Sequence, residues 1–124
     1  MFRLGWMYSQ GEGVPQDFSL ARQWYDKSAS RGVVGAMVNL ALLYKDGKGG
    51  PQDHNLQRQW LEKAASRGVS TAMFNLGAMY YAGDGVPRDL SLAREWFEKA
   101  EAQGLTDARD MLAKLRKSSP QEWQ

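Results

Sequence analysis

Histidine, the side chain best suited to acid–base chemistry near neutral pH, occurs once in this chain, at position 54. Cysteine is absent, which excludes disulfide bonds and thiolate metal sites. A catalytic base or a metal site needs partner groups beside the imidazole, yet the sequence offers no acid–base pair, nucleophile arrangement or metal cluster. We therefore expect His54 to be a solvated surface group, and we expect no enzyme activity, metal or other cofactor.

Three Gly-x-Gly loops are superficially similar to phosphate cradles or calcium loops. The residue between the glycines is Glu12 in the first loop, Lys48 in the second and Asp84 in the third. A ligand position would not change from an acid to a cation, and a bare Gly-x-Gly is a weak signal. We interpret the loops as tight turns between helices.

Aromatic and basic residues offer another chemistry, the stacking and phosphate binding of a nucleic-acid interface. Three tryptophans lie beside Leu and Ala at helical spacing, which favours the core: Trp24, Trp60 and Trp96. The net charge is +2, and no basic block is present, so a nucleic-acid binder is disfavoured. The repeated cations are expected on a solvated face or paired with Asp26, Glu62 and Glu98; they are Arg22, Arg58, Arg94, Lys27, Lys63 and Lys99.

The elements that carry these residues repeat every 36 positions. Aligning Tyr8, Tyr44 and Tyr80 keeps the register without insertion, and twelve of 32 aligned positions are identical in all three copies. Such agreement indicates a repeat protein. The length of 124 residues and the 43% hydrophobic content are otherwise typical of one globular domain, and no apolar run is long enough to span a bilayer.

Each unit has the pattern of two helices. Ala36, Leu40 and Tyr44 stand four residues apart, as on one face of an amphipathic helix, and the Gly and Pro of the loop end that helix. Asp53 is suited to the N-cap of the next helix, and Gly104 to a left-handed cap at the end of a second helix. The second helix of the third unit is expected to bury Leu92, Ala93, Trp96, Phe97 and Ala100. Small residues predict close helix approach at Gly5, Ala41 and Gly77.

The pattern A-x-x-x-L-[GA]-x-x-Y-x-x-G-x-G-V-P-x-D, followed by A-x-x-W-[YF]-x-K-[AS]-A-x-x-G, resembles the Sel-1-like repeat (SLR) family, relatives of tetratricopeptide repeats. The resemblance covers residues 1–117, and its departures are Gly50, Gln57 and Glu101. We expect an all-α fold, a right-handed αα-hairpin superhelix (solenoid) of three 36-residue repeats plus a C-terminal capping helix. The expected organisation is a single domain at 1–117, with repeats at about 1–32, 33–68 and 69–104, a cap helix at 105–117 and a tail at 118–124.

The resemblance also implies a role. Members of this family are adaptor scaffolds for protein–protein interaction and are frequently bacterial. Some act at the envelope, in secretion or as toxin-neutralising (immunity-type) partners, which we keep as an alternative. A hydrolase is a remote alternative, because it would need a titratable cluster that the sequence lacks.

The segment 105–117 continues the register as the first helix of a fourth unit. It places Arg109 and Arg116 where the second unit has Met37 and Tyr44. Those positions would face a following hairpin, so polar residues there are typical of a terminal capping helix.

Both ends of the chain leave alternatives open. In the tail, Trp123 either folds back onto the cap or belongs to a disordered end. Met1 aligns one residue after the alanine that opens each complete unit, so the gene begins within a repeat or the chain is a fragment. A native Met1 predicts a cytoplasmic protein, whereas a fragment leaves a periplasmic or exported one open. The uncovered first helix predicts self-association, or better solubility once upstream sequence is restored.

Function is expected where the three units differ, because packing explains the identical positions. The variable positions of the first helices lie on one face, opposite much of the Leu/Tyr stripe. By resemblance to tetratricopeptide folds, this face lines a concave groove, and Asn39 and Asn75 match a position whose amide often grips a peptide backbone. We predict that another protein or peptide, not nucleic acid or a membrane, binds there through Arg3, Trp6, Val38, Asn39, Leu42, Lys45, Phe74, Asn75, Ala78 and Tyr81.

Overall fold

The computed structural model describes residues 1–118, and within them the chain is all-α, as predicted. Its seven helices are α1 (Phe2–Gln10), α2 (Phe18–Ser30), α3 (Val34–Asp46), α4 (His54–Ser66), α5 (Ser70–Ala82), α6 (Leu90–Ala102) and α7 (Thr106–Ser118). The interpretation of Trp123 falls outside the described residues.

The chain forms two compact units. The first is Met1–Arg67 and holds α1 to α4, and the second begins at Gly68 and holds α5 to α7. Within the first unit α1 packs on α2, α2 on α3 and α3 on α4; within the second, α5 packs on α6 and α6 on α7. The division into one domain and a tail that the sequence suggested stays a prediction.

Helix ends follow the predicted capping chemistry. Asp17, Asp53 and Asp89 each accept a hydrogen bond from the backbone N–H three residues later, at 3.0–3.1 Å. This satisfies an N–H group that the first helical turn leaves free. At the other end of the second helices, Gly68 and Gly104 have φ of 85° and 95°. This is the left-handed conformation that the sequence predicted for Gly104.

The core of each hairpin is filled by a matched pair of residues. A Cβ atom at Gly5 would lie 2.6 Å from the Tyr25 ring, and one at Gly77 would lie 2.7 Å from the Phe97 ring. The small residues therefore accommodate an aromatic ring of the paired helix. In the middle hairpin the same two positions are Ala41 and Leu61, both buried.

The prediction that the tryptophans are core residues is wrong. Trp24, Trp60 and Trp96 are half-buried, because the next residue in each helix points to the core and leaves the indole at its edge. A lysine three positions later covers each exposed ring, with its Nζ 4.5–4.7 Å from the ring centroid. The lysine stem thereby shields the indole while its charge stays in water. Leu92, also expected in the core, is half-buried as well.

His54 also differs from the prediction of a solvated group. It is half-buried, and its Nδ1 donates to Oε1 of Gln57 at 2.9 Å. Gln57 is only 3% exposed, although the other two hairpins have alanine at this position. The histidine therefore satisfies a buried amide oxygen, which would otherwise cost about 1–3 kcal/mol.

The last helix packs on α6 through Ala108, Leu112 and Leu115, which are buried. Arg109 and Arg116 are exposed, and Nε of Arg109 pairs with Glu101 at 3.2 Å. The helix therefore presents charged side chains on its outer face.

Candidate functional site

The loop between α3 and α4 is held by an arginine from the preceding hairpin. Nη2 of Arg22 in α2 donates to the carbonyl oxygens of Leu43 at 3.1 Å, Lys48 at 2.8 Å and Gly50 at 3.4 Å. Its Nη1 donates to the carbonyl oxygen of Pro51 at 3.2 Å. One guanidinium thus fixes the whole turn against α2, because its donors are arranged in a rigid planar fork.

Two further residues shape this contact. The Arg22 guanidinium lies 4.3 Å from the centroid of the Tyr44 ring. Burial raises the pKa of the Tyr44 phenol, with Asp26 and Asp53 acting in the same direction and Arg22 in the opposite one. Glycine replaces the valine of the other loops at position 50, and a Cβ there would lie 2.6 Å from Nη1, so a side chain would require the guanidinium to move.

Next to this loop, the first unit has a groove of about 380 Å³ between α1, α2 and α3. The residues that line it are Trp6, Ser9 and Gln10 of α1, Phe18 and Tyr25 of α2, Asn39, Leu42, Leu43 and Asp46 of α3, and Lys48 of the loop.

The groove exposes two large apolar side chains. Trp6 is 42% exposed and Leu42 is 41% exposed, and they come from different helices. A single exposed apolar residue is common on protein surfaces, but two that line the same concavity are typical of a binding surface.

Polar groups line the groove together with these apolar side chains. The Ser9 hydroxyl donates to the carbonyl oxygen of Trp6 at 2.8 Å and lies 3.4 Å from the Tyr25 hydroxyl. Asn39 is half-buried, and its amide has no hydrogen-bond partner within residues 1–118. The groove therefore offers a free donor and acceptor beside an apolar anchor.

The groove is also lined by a positioned cation, Lys48. Nζ of Lys48 lies 4.9 Å from the centroid of the Phe18 ring. Among the described residues, no carboxylate lies within 4.0 Å of this ammonium. Its charge is therefore available to a ligand.

The ten residues predicted to bind a partner are distributed over both units. The groove of the first unit is lined by three of them, Trp6, Asn39 and Leu42. Arg3 and Lys45 are exposed but do not line it. Val38 is half-buried at the position that corresponds to Phe2, whose ring lies 5.8 Å from that of Tyr25.

The other four residues lie in the second unit, and their binding role stays a prediction. The ring of Phe74 lies 5.3 Å from that of Phe97, so its aromatic face contributes to packing within the hairpin. Asn75, Ala78 and Tyr81 are half-buried. The carbonyl oxygen of Tyr81 accepts from Nε of Arg88 at 3.0 Å.

Sequence reasoning did not select several residues that line the groove. Phe18 and Tyr25 belong to the second helix of the hairpin, whereas the prediction considered only first helices. Lys48 was interpreted only as evidence against a ligand loop. The available signal was its inverted charge relative to Glu12 and Asp84.

Metal-binding clusters and membrane-spanning helices are absent from the described part of the chain. Residues 1–118 contain no group of three or more His, Cys, Asp or Glu side chains arranged to hold a metal ion. Over the same range, the helices are too short or too polar to cross a membrane.

The chain is similar to known repeat proteins. The family model of the Sel1 repeat matches residues 1–33, 34–69 and 70–105. No curated protein sequence matches the chain. A similar solved structure is that of c5321, a protective antigen present in uropathogenic Escherichia coli strains that displays an SLR fold. The two are 37% identical with a TM-score of 0.92, and the match covers 95% of this chain and 25% of the antigen.

Two further structures are similar. A Sel1 repeat protein from Oxalobacter formigenes is 29% identical with a TM-score of 0.82, and the match covers 89% of this chain and 45% of that protein. Cysteine rich protein B of Helicobacter pylori has a TM-score of 0.74 over 89% of this chain and 90% of its own, and its 24% identity shows a shared fold alone. The chain spans less than half of the length of the first two proteins.

Proposed function

Because the chain belongs to the Sel1 repeat family, we propose that it is a non-enzymatic scaffold that binds a segment of another protein in the groove lined by α1, α2 and α3. The predicted resemblance to SLR proteins is confirmed. Proteins of this family are generally protein–protein interaction scaffolds, and the fold is typically non-enzymatic. The family supports the class of function, and the groove supports the place.

One observation carries the assignment of the place. Trp6 and Leu42 are exposed on separate helices and line one concavity together with the unpartnered amide of Asn39. Tryptophan is enriched among the residues that dominate binding energy, and such residues lie in pockets that a partner closes to water. An amide in the same groove can both donate to and accept from an extended backbone.

The proposal predicts which substitutions weaken binding. A partner is recovered by affinity capture, identified by mass spectrometry, and titrated calorimetrically against purified variants. Trp6→Ala should weaken binding by about 2 kcal/mol or more, and Leu42→Ala or Asn39→Ala by about 1–2 kcal/mol each. Circular dichroism would establish that the helices are retained.

A matched control separates the groove from apolar surface in general. Val33 is 40% exposed, which is similar to the 41% exposure of Leu42, but Val33 does not line the groove. Val33→Ala should leave the affinity unchanged. If Trp6→Ala and Leu42→Ala bind as tightly as the unmodified chain, the partner does not use this groove. Asn75→Ala, titrated in parallel, tests the predicted role of the second unit.

A further inference from the structure

We propose that the segment bound in this groove carries an acidic side chain next to its apolar anchor, and that Lys48 selects it. This inference rests on the proposed function and specifies its partner.

Both the backbone and the side chain of Lys48 are held in place. Its carbonyl oxygen accepts the shortest of the four hydrogen bonds from Arg22, at 2.8 Å, so the loop backbone is fixed. Its side chain extends over the Phe18 ring, with Nζ 4.9 Å from the ring centroid. Holding a lysine in place normally costs side-chain entropy on binding, and here part of that ordering precedes the ligand.

The charge of Lys48 is specific to this loop. The corresponding residues of the other loops are Glu12 and Asp84, both acidic. Gly50, also specific to this loop, makes room for the guanidinium that fixes it. The two departures from the repeat pattern therefore act together, since one anchors the loop and the other supplies its charge.

The surroundings favour an anion as well. The first unit contains nine Lys and Arg residues and six Asp and Glu residues, while the remainder of the chain has seven and eight. Two of the six acids, Asp17 and Asp53, already accept N-cap hydrogen bonds. Complementary charge speeds encounter and suppresses partners of the same sign, so this unit discriminates against basic segments.

Asp46 is the opposing group. It is exposed and lines the same groove as Lys48. No ion pair joins the two within 4.0 Å in the described part of the chain. Removing either charge should therefore have opposite effects on the binding of an acidic segment, because without the Asp46 carboxylate Lys48 is unopposed.

The test uses the full chain and a random peptide library displayed on phage as its probe. The unmodified chain should enrich peptides in which Asp or Glu adjoins a large apolar residue, and Lys48→Glu should enrich Lys or Arg at that position. Measured on a peptide selected by the unmodified chain, Lys48→Glu should weaken binding by about threefold or more, and Asp46→Asn should tighten it by about twofold. Added salt should reduce both differences.

Lys27→Glu is the matched control. It changes the net charge of the same unit equally and removes the same kind of contact, since Nζ of Lys27 lies 4.7 Å from the Trp24 ring centroid. It does not line the groove and should leave the selected sequences unchanged. If Lys27→Glu shifts the charge preference as much as Lys48→Glu does, the net charge and not Lys48 is responsible, and the inference is wrong.

Two outcomes separate this inference from the proposed function. Peptides that lose binding with Trp6→Ala but show no acidic preference would overturn the role of Lys48 and leave the groove as the binding site. Enriched peptides that bind all groove variants equally would overturn both. A labelled oligonucleotide is titrated in parallel, and binding that Lys48→Glu abolishes would replace the acidic peptide with a nucleic acid as the occupant.

Discussion

The second and third hairpins, α3–α4 and α5–α6, consist of equivalent helices, but different side chains fill their cores. Where the third has Gly77 beneath the Phe97 ring, the second has Ala41 and Leu61. A methyl group added on one helix is matched by a smaller side chain on the other. The difference shows that these two core positions change together, so their variation reports packing and not recognition.

The loops of these hairpins differ in a second way. Lys48 and Gly50 of the second loop correspond to Asp84 and Val86 of the third. Neither change alters the left-handed glycines of the turn. The glycines before Lys48 and Asp84 have φ of 67° and 73°, and those before Gly50 and Val86 have φ of 78° and 70°. Variation in the loop is therefore free to set charge and contacts, which is where we place selectivity.

The largest expected loss of stability comes from the arginine that the first two hairpins have at equivalent positions, Arg22 and Arg58. Arg22→Ala removes four hydrogen bonds to backbone carbonyls and should lower the free energy of unfolding by about 2–4 kcal/mol. Among the described residues, Arg58 bonds only within its own helix, to Asn55 and to Glu62 at 3.8 Å. Arg58→Ala should therefore cost less than about 1 kcal/mol. Urea unfolding followed by circular dichroism measures both, and equal losses would contradict the role of Arg22.

The paired core gives the next largest effect. Gly77→Ala puts a methyl group against the Phe97 ring and should destabilise the protein by about 1–3 kcal/mol. Phe97→Leu alone leaves a void and should cost about 1 kcal/mol. Combined, they recreate the Ala–Leu pair of the second hairpin, so the double variant should be more stable than Gly77→Ala. Simple additivity of the two losses in a double-mutant cycle would show that the positions are not coupled.

A substitution at a position where the second and third hairpins have the same residue and conformation should reduce stability equally in both. Gly68 and Gly104 have φ of 85° and 95°, and a Cβ at either would meet nothing within 4 Å. Alanine is therefore opposed only by the backbone conformation, at about 1–2 kcal/mol for each site. Thermal melts of Gly68→Ala and Gly104→Ala should agree with each other, with asparagine better tolerated at both. A loss at one site alone would indicate a contact specific to that hairpin.

The smallest effect concerns the polar pair of the second hairpin. His54→Leu leaves the Oε1 atom of Gln57 without its donor and should cost about 1 kcal/mol. Adding Gln57→Ala recreates the Leu–Ala pair of α6 and should bring the stability to within about 0.5 kcal/mol of the unmodified chain. Denaturant midpoints compare the two variants. A double variant no more stable than His54→Leu would show that the hydrogen bond does not matter.

The sequence was sufficient to predict the helices and their ends because each boundary depends on local chemistry. Asp53 caps α4 and Gly68 follows its end for reasons that lie within a few residues of each. The tryptophans were misplaced because helical spacing identifies an apolar stripe but not its centre. Tyr25, immediately after Trp24, takes the central position, and only packing shows which of the two neighbours does so.

The groove was only partly predictable. Trp6, Asn39 and Leu42 follow from the variability of the first helices. Phe18 and Lys48 reach the groove through the packing of the α3–α4 loop against α2, which depends on Arg22 finding carbonyls more than twenty residues away in sequence. Contacts of this kind have no local signature, because Arg58, which occupies the equivalent position of the second hairpin, bonds within its own helix.

The hydrogen bonds that close each loop have a consequence for the origin of the chain. The backbone N–H groups of Asp17, Asp53 and Asp89 donate to the carbonyl oxygens of Tyr8, Tyr44 and Tyr80, at 2.9–3.0 Å, always nine residues back. Each turn is thus closed by residues that one 36-residue stretch of gene encodes together. A tandem duplication of that stretch copies both partners of the closing hydrogen bond together. Recombination can therefore lengthen or shorten such a gene by whole units while every encoded turn keeps this hydrogen bond.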